Sequence, residues 1–129
     1  MHLYFRLHPD TNINAVLIIA FLRQLHQQLD PHPIVLVWDR LRAHRAKSVM
    51  AFLRDTRTIY PVLLPPYAPE LNPIEYAWGY LKQNPLANYA CFDTEELADT
   101  ARHYARALQR KQHLLRSFVN HSPLSLRLR

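Results

Sequence analysis

Two carboxylates stand out by type and surroundings. Asp39 closes the apolar run Ile34-Val35-Leu36-Val37-Trp38, and Glu75 lies in the proline-rich stretch Pro65-Pro66-Tyr67-Ala68-Pro69-Glu70-Leu71-Asn72-Pro73-Ile74-Glu75-Tyr76-Ala77-Trp78. Carboxylate oxygens are hard ligands suited to Mg²⁺ or Mn²⁺, and these two residues look like two-thirds of a metal-binding carboxylate triad. The apolar run, flanked by Pro33, predicts a strand buried on both faces. Ligands in open α/β sheets gather where such strands end, so Asp39 is expected at the active edge of a sheet.

Glu75 has two readings. Asn72 is a good helix N-cap, Pro73 suits the first helical position and Glu75 the third, as in a capping box. In that role the Glu75 carboxylate bonds the backbone of Asn72 and favours the helix dipole by about 0.3–1 kcal/mol. The other role is metal ligation. Three prolines between Pro65 and Pro69 make a stiff, extended connection that fixes where the next helix starts, and a ligand must be held to within ~0.5 Å of its productive position.

With His44 five residues after Asp39, the segments Val35-Leu36-Val37-Trp38-Asp39 and Leu63 to Trp78 resemble the DDE transposases of the mariner-like superfamily. They are most similar to the bacterial insertion-sequence 630 group. The resemblance is strong from Ile34 to Leu81 and extends from Leu3 to roughly Ala107. It implies that Asp39 matches the family's second catalytic Asp and Glu75 its third acidic residue. It further implies phosphodiester chemistry on DNA, in which carboxylates hold a pair of Mg²⁺ (or Mn²⁺) ions that activate a water or 3′-hydroxyl and stabilise the leaving oxygen. Asp39 is then the ligand shared between metals, and Glu75 holds one of them.

The match has departures. Between Asp39 and Glu75 lie 35 residues, one more than the family's usual spacing, and the turn Asp55-Thr56-Arg57-Thr58 is the expected place for the extra residue. Arg40 stands where Asn is common; a cation there either competes with the metal for Asp39 or contacts a DNA phosphate. No residue matches the family's first catalytic Asp: Asp10, with Thr11 and Asn12, reads as the cap of the first helix. The helix-turn-helix region with which the family reads transposon ends is also unmatched.

The pattern predicts a strand over 3–7, a helix over 13–29 with Ile18, Leu22, Leu25 and Leu29 on its buried stripe, and the strand 34–38. Next come a helix over 45–54 facing the sheet with Ala46, Val49, Met50 and Leu53, and a strand over 59–64. Helices over 72–83, with Trp78 and Leu81 as core anchors, and over 93–111 follow, the second opened by a capping box of Asp93 and Glu96. Tyr67 and Tyr76 are expected to pack beside the proline loop, base stacking being their other role.

This order suits an α/β layer fold and resembles the second half of a ribonuclease H-like domain followed by C-terminal helices. The family's first strand lies at the centre of its sheet; without it the strand at Ile34 is expected to carry an unpaired buried edge. Residues 1–112 are expected to form the C-terminal portion of the catalytic domain and 113–129 a short helix and a basic tail ending Arg127-Leu128-Arg129. Arg102, Arg106 and Arg110, at four-residue spacing, form a basic ridge for DNA backbone or solvent. His44 either approaches the scissile phosphate, orders the loop after Asp39, or caps a helix at the surface.

Composition agrees. A chain of 129 residues, 49% apolar, can build one core. A formal charge of +6 and a pI near 9.8 favour a polyanion partner such as DNA. The single Cys91 cannot form an internal disulfide, which suits a reducing cytoplasm. The eight histidines show no zinc-like spacing with it. The apolar run from Ala15 to Leu22 is far shorter than the ~20 residues that cross a bilayer, so no membrane partner is expected.

The function expected is that of a C-terminal transposase fragment contributing two metal-binding carboxylates to DNA cleavage and transfer. It is expected to be inactive alone, with the first Asp supplied by an upstream transposase portion or a second transposase subunit, and the two-metal Mg²⁺ (or Mn²⁺) site is expected only when that Asp is supplied. The alternative is a decayed remnant that binds DNA or a transposase subunit without catalysis.

Overall fold

The computed structural model describes residues 1–84, 86, 90 and 92–124. It is mixed α/β and divides into two units: Asn12–Ala68, and Met1–Thr11 together with the chain from Pro69 onward. Cys91 and the basic tail 127–129 lie outside the described residues.

The first unit is built on helix α1, Ala15–Leu29, strand β1, Ile34–Trp38, a 3-10 turn at Arg42–Arg45, helix α2, Lys47–Thr56, and strand β2, Ile59–Leu63. The cap of α1 is Asn14, whose Oδ1 accepts from the Leu17 amide at 3.0 Å, not the predicted Asp10 to Asn12 segment. Both segments carry Asx residues suited to capping, and the one adjoining the apolar stripe wins. Ile18 and Leu22 of that stripe are buried with Trp38, Val49, Leu53 and Ile59 in one core. Met50 is exposed and only Val49 and Leu53 are the fully buried residues of α2.

β1 and β2 pair in parallel, Ile34 opposite Ile59 and Trp38 opposite Leu63. Alternate residues point to opposite faces, so Ile34, Leu36 and Trp38 face the helices while Val35 and Val37 face away. The prediction of burial on both faces is corrected here: Val35 is 66%, Tyr60 55% and Val62 48% exposed. A continuous apolar run marks a strand, but not which of its faces the rest of the chain covers. Arg57, in the turn to β2, sits at φ 57° as the left-handed C-cap of α2.

The second unit holds a 3-10 turn at Pro69–Leu71, helix α3, Pro73–Gln83, helix α4, Thr94–Gln109, and helix α5, Gln112–His121. Ala77, Leu81, Leu108 and Leu115 form its core, with Met1, Leu3, Tyr80 and Phe118 packed against it. Leu81 is the predicted anchor of α3, whereas Trp78, one residue around the helix from Ala77, is 38% exposed. The helix predicted over 93–111 ends at Gln109. There Lys111 leaves helical geometry at ψ 70°, and its Nζ bonds the Tyr80 hydroxyl at 3.0 Å.

The predicted strand over 3–7 does not form. Its residues show the period-two burial of a strand, but no strand pairs with them among the described residues. Side chains hold the segment instead: Gln109 Nε2 donates to the Leu3 carbonyl at 2.6 Å, and the terminal amine of Met1 donates to Gln112 Oε1 at 2.9 Å. A strand is defined by its neighbour, which periodicity alone cannot supply.

Candidate functional site

The ladder itself delivers Asp39. The Leu64 amide donates to the Trp38 carbonyl at 2.8 Å, carrying the pairing to the last residue before the carboxylate. There the chain leaves the sheet through an Asx turn, Asp39 Oδ1 accepting from the Leu41 amide at 2.9 Å. The 3-10 turn that follows folds His44 back over the strand end. Its Nδ1 lies 2.9 Å from Asp39 Oδ1 and 3.2 Å from the Asp39 carbonyl oxygen. The imidazole is stacked on the Trp38 ring, centroids 4.3 Å apart and planes 10° from parallel. Asp39 Oδ1 thus serves two donors, and among the described residues nothing bonds Oδ2.

Arg40 does not pair with Asp39. Its Nε donates to the Leu64 carbonyl at 2.9 Å, the first acceptor past the end of β2, while Asp39 is turned toward Leu41 and His44. No ion pair therefore joins Arg40 to Asp39 among the described residues.

Glu75 stands at the third position of α3. Asn72 caps the helix, its Oδ1 accepting from the Ile74 amide at 3.4 Å. The returning arm of the capping box is missing: the Asn72 amide donates to the Pro69 carbonyl at 2.9 Å, so it has no need of Glu75. At α4 the equivalent acid is engaged, though by the amide one residue before the cap. Asp93 Oδ1 accepts from the Glu96 amide and Glu96 Oε2 accepts from the Phe92 amide, both at 2.8 Å. Glu75 is exposed, and among the described residues no hydrogen bond or ion pair engages its carboxylate.

The start of α3 is nevertheless firmly held. The Tyr76 hydroxyl donates to the Glu70 carbonyl at 3.0 Å, and the buried Ser122 Oγ donates to the Leu71 carbonyl at 2.7 Å. Ser122 was missed in the sequence because one serine after a helix carries no signal of a partner 51 residues away. Tyr76 lies beside the proline loop as expected, through its bond to Glu70, and its ring is tilted against His121 of α5. Tyr67 instead is fully exposed at φ 55°.

Of the basic ridge, Arg102 is paired with Asp99 on its own helix. Arg106 and Arg110 are exposed and have no acidic partner among the described residues. Asp39 and Glu75 belong to different units, and no group of three or more His, Cys, Asp or Glu residues able to hold a metal is assembled among the described residues. The donors present have the right chemistry for a hard divalent cation, one free oxygen on Asp39 and an unengaged carboxylate on Glu75.

Residues 3–98 match the family model of the DDE superfamily endonucleases. The chain belongs to that family. The match takes in Asp39, Arg40, His44 and Glu75, and it ends within α4, before Arg102. Membership in the DDE superfamily endonucleases makes this a transposase-like nuclease domain and implies a DNA substrate, and nucleases of that superfamily generally use divalent metals. No curated protein matches the chain. None of the described helices of this DDE-family chain is long and apolar enough to cross a membrane.

Proposed function

We propose that this DDE-family chain is the C-terminal catalytic portion of a cytoplasmic DNA transposase of the mariner-like, insertion-sequence 630 group. Its fold is a partial ribonuclease H-like domain, and the first catalytic Asp comes from an upstream transposase portion or a second subunit. Asp39 and Glu75 are the residues that hold Mg²⁺ or Mn²⁺. A bound pair of these ions supplies an activated water or 3′-hydroxyl and stabilises the leaving oxygen.

The chain's own residues orient and bind. Asp39 offers the oxygen that its turn and His44 leave unbonded, and Glu75 offers a carboxylate on a helix start tied down by Tyr76 and Ser122. Arg106 and Arg110, and the terminal nitrogens of Arg40, neutralise phosphates. The observation that carries this reading is the Glu75 carboxylate: it occupies a capping-box position and takes no part in the cap.

The test is strand cleavage and transfer of transposon-end DNA by the chain reconstituted with its upstream portion. Asp39→Asn and Glu75→Gln each remove a charged ligand with little change in volume, and each is expected to abolish both steps. Wild-type rates in both variants would refute the assignment. DNA binding without cleavage in every reconstitution would instead identify a remnant that acts as a DNA- or subunit-binding module.

A further inference from the structure

The side chain of Asp39 is 53% exposed and stands on the first residue past the strand, where nothing in the ladder fixes its rotamer. A carboxylate that must present one oxygen reproducibly needs a partner on the other. The Leu41 amide supplies one such bond to Oδ1, and His44 supplies the second, from a side chain, at 2.9 Å. Its ring is clamped flat on Trp38, a residue only 8% exposed, and its own side chain is 19% exposed.

Both atoms that Nδ1 approaches, Asp39 Oδ1 and the Asp39 carbonyl oxygen, are acceptors. Nδ1 must therefore carry the proton, which is the minority tautomer of a free neutral imidazole. Trp38 Nε1 is buried without a hydrogen-bond partner among the described residues. The indole is thus held by packing and serves His44 through its face.

We propose that His44 is the positioning residue of Asp39: the Nδ1–H bond holds Oδ1, with Trp38 as the platform under the ring, so that Oδ2 is the oxygen presented to a divalent cation. This deepens the reading of Asp39 as a metal ligand and rests on it for the cation, while the hydrogen bond stands without it. It also assigns His44 to orientation of the loop and not to contact with a phosphate.

Asn and Gln separate these roles, because the Asn side-chain amide nitrogen falls near the Nδ1 position of His and that of Gln near Nε2. On the full 129-residue chain with ¹⁵N-labelled histidine, at a pH where imidazole is neutral, His44 is expected to show the Nδ1–H tautomer. An Nε2–H tautomer overturns the proposal. Mn²⁺ titration, read as broadening of the Asp39 and Leu41 amide signals, supplies the second measurement.

Wild type and His44→Asn are expected to broaden at similar Mn²⁺, and His44→Gln and His44→Ala to require about tenfold more, with unchanged circular dichroism. Rescue by Gln in place of Asn, or equal broadening in all four proteins, overturns the positioning role. Asp39→Asn reports on the underlying reading separately: broadening as in wild type shows that Asp39 is not a ligand, and the tautomer then still decides whether His44 holds it.

Discussion

Glu75 and Glu96 occupy the same position in two similarly capped helices and have opposite surroundings. Glu96 is engaged, accepting from the amide of Phe92, the residue before its cap, whereas Glu75 engages no amide among the described residues and the amide of its cap residue Asn72 is satisfied by Pro69. Losing a capping interaction costs about 0.5–2 kcal/mol. Glu96→Ala is therefore expected to lower stability by about 1 kcal/mol in urea unfolding, and Glu75→Gln to change it by less than about 0.5 kcal/mol. A large loss at Glu75 would show that its carboxylate serves the fold, leaving it less suited to a ligand's role. The same comparison explains why a sequence motif left Glu75 open: the capping box names the residue type and spacing, but the competing Pro69 carbonyl depends on how the proline loop turns.

At the scale of elements, two ends are set by single residues. α2 stops at Arg57 in left-handed geometry, which costs a side-chain-bearing residue energy that glycine avoids. Arg57→Gly is expected to stabilise the chain by up to about 1 kcal/mol, offset in part by the added freedom of the unfolded state; thermal unfolding decides the sign. α3 is held from a distance by Ser122. Ser122→Ala removes that donor and leaves the Leu71 carbonyl short of a partner, an expected loss of about 1–3 kcal/mol. Faster amide exchange at the start of α3 should accompany it, and unchanged exchange there would mean that Tyr76 alone suffices to pin the helix.

For the molecule as a whole, the parallel sheet has one bare apolar face, displaying Val35, Tyr60 and Val62. Parallel sheets are ordinarily covered on both faces, and exposed apolar patches promote association. The isolated chain is expected to self-associate with rising concentration in light scattering. Tyr60→Lys with Val62→Lys should reduce this while leaving the melting temperature within a few degrees, since neither side chain enters the core. With two candidate carboxylates and no cluster of three among the described residues, the isolated chain is also expected not to cleave transposon-end DNA with Mg²⁺. Robust strand transfer by it would show that the centre is complete without another source of Asp.

The sequence by itself determined the features written in short-range code. β1 runs from Ile34 to Trp38 to the residue, Asn72 and Pro73 open α3, and Asp93 with Glu96 opens α4. Hydrophobic runs, prolines and caps act over a few neighbouring residues, so their outcome is legible locally. The proline-rich motif and the Asp39 segment likewise carried the family resemblance. Tertiary structure decided what depends on distant partners: that residues 3–7 find no strand beside them, that one face of β1 stays bare, that α4 ends where Lys111 reaches Tyr80, and that His44 settles on Trp38 to hold Asp39. Each of these is fixed by which groups meet across the fold, and a side chain's partner is a property of packing that no local spacing encodes.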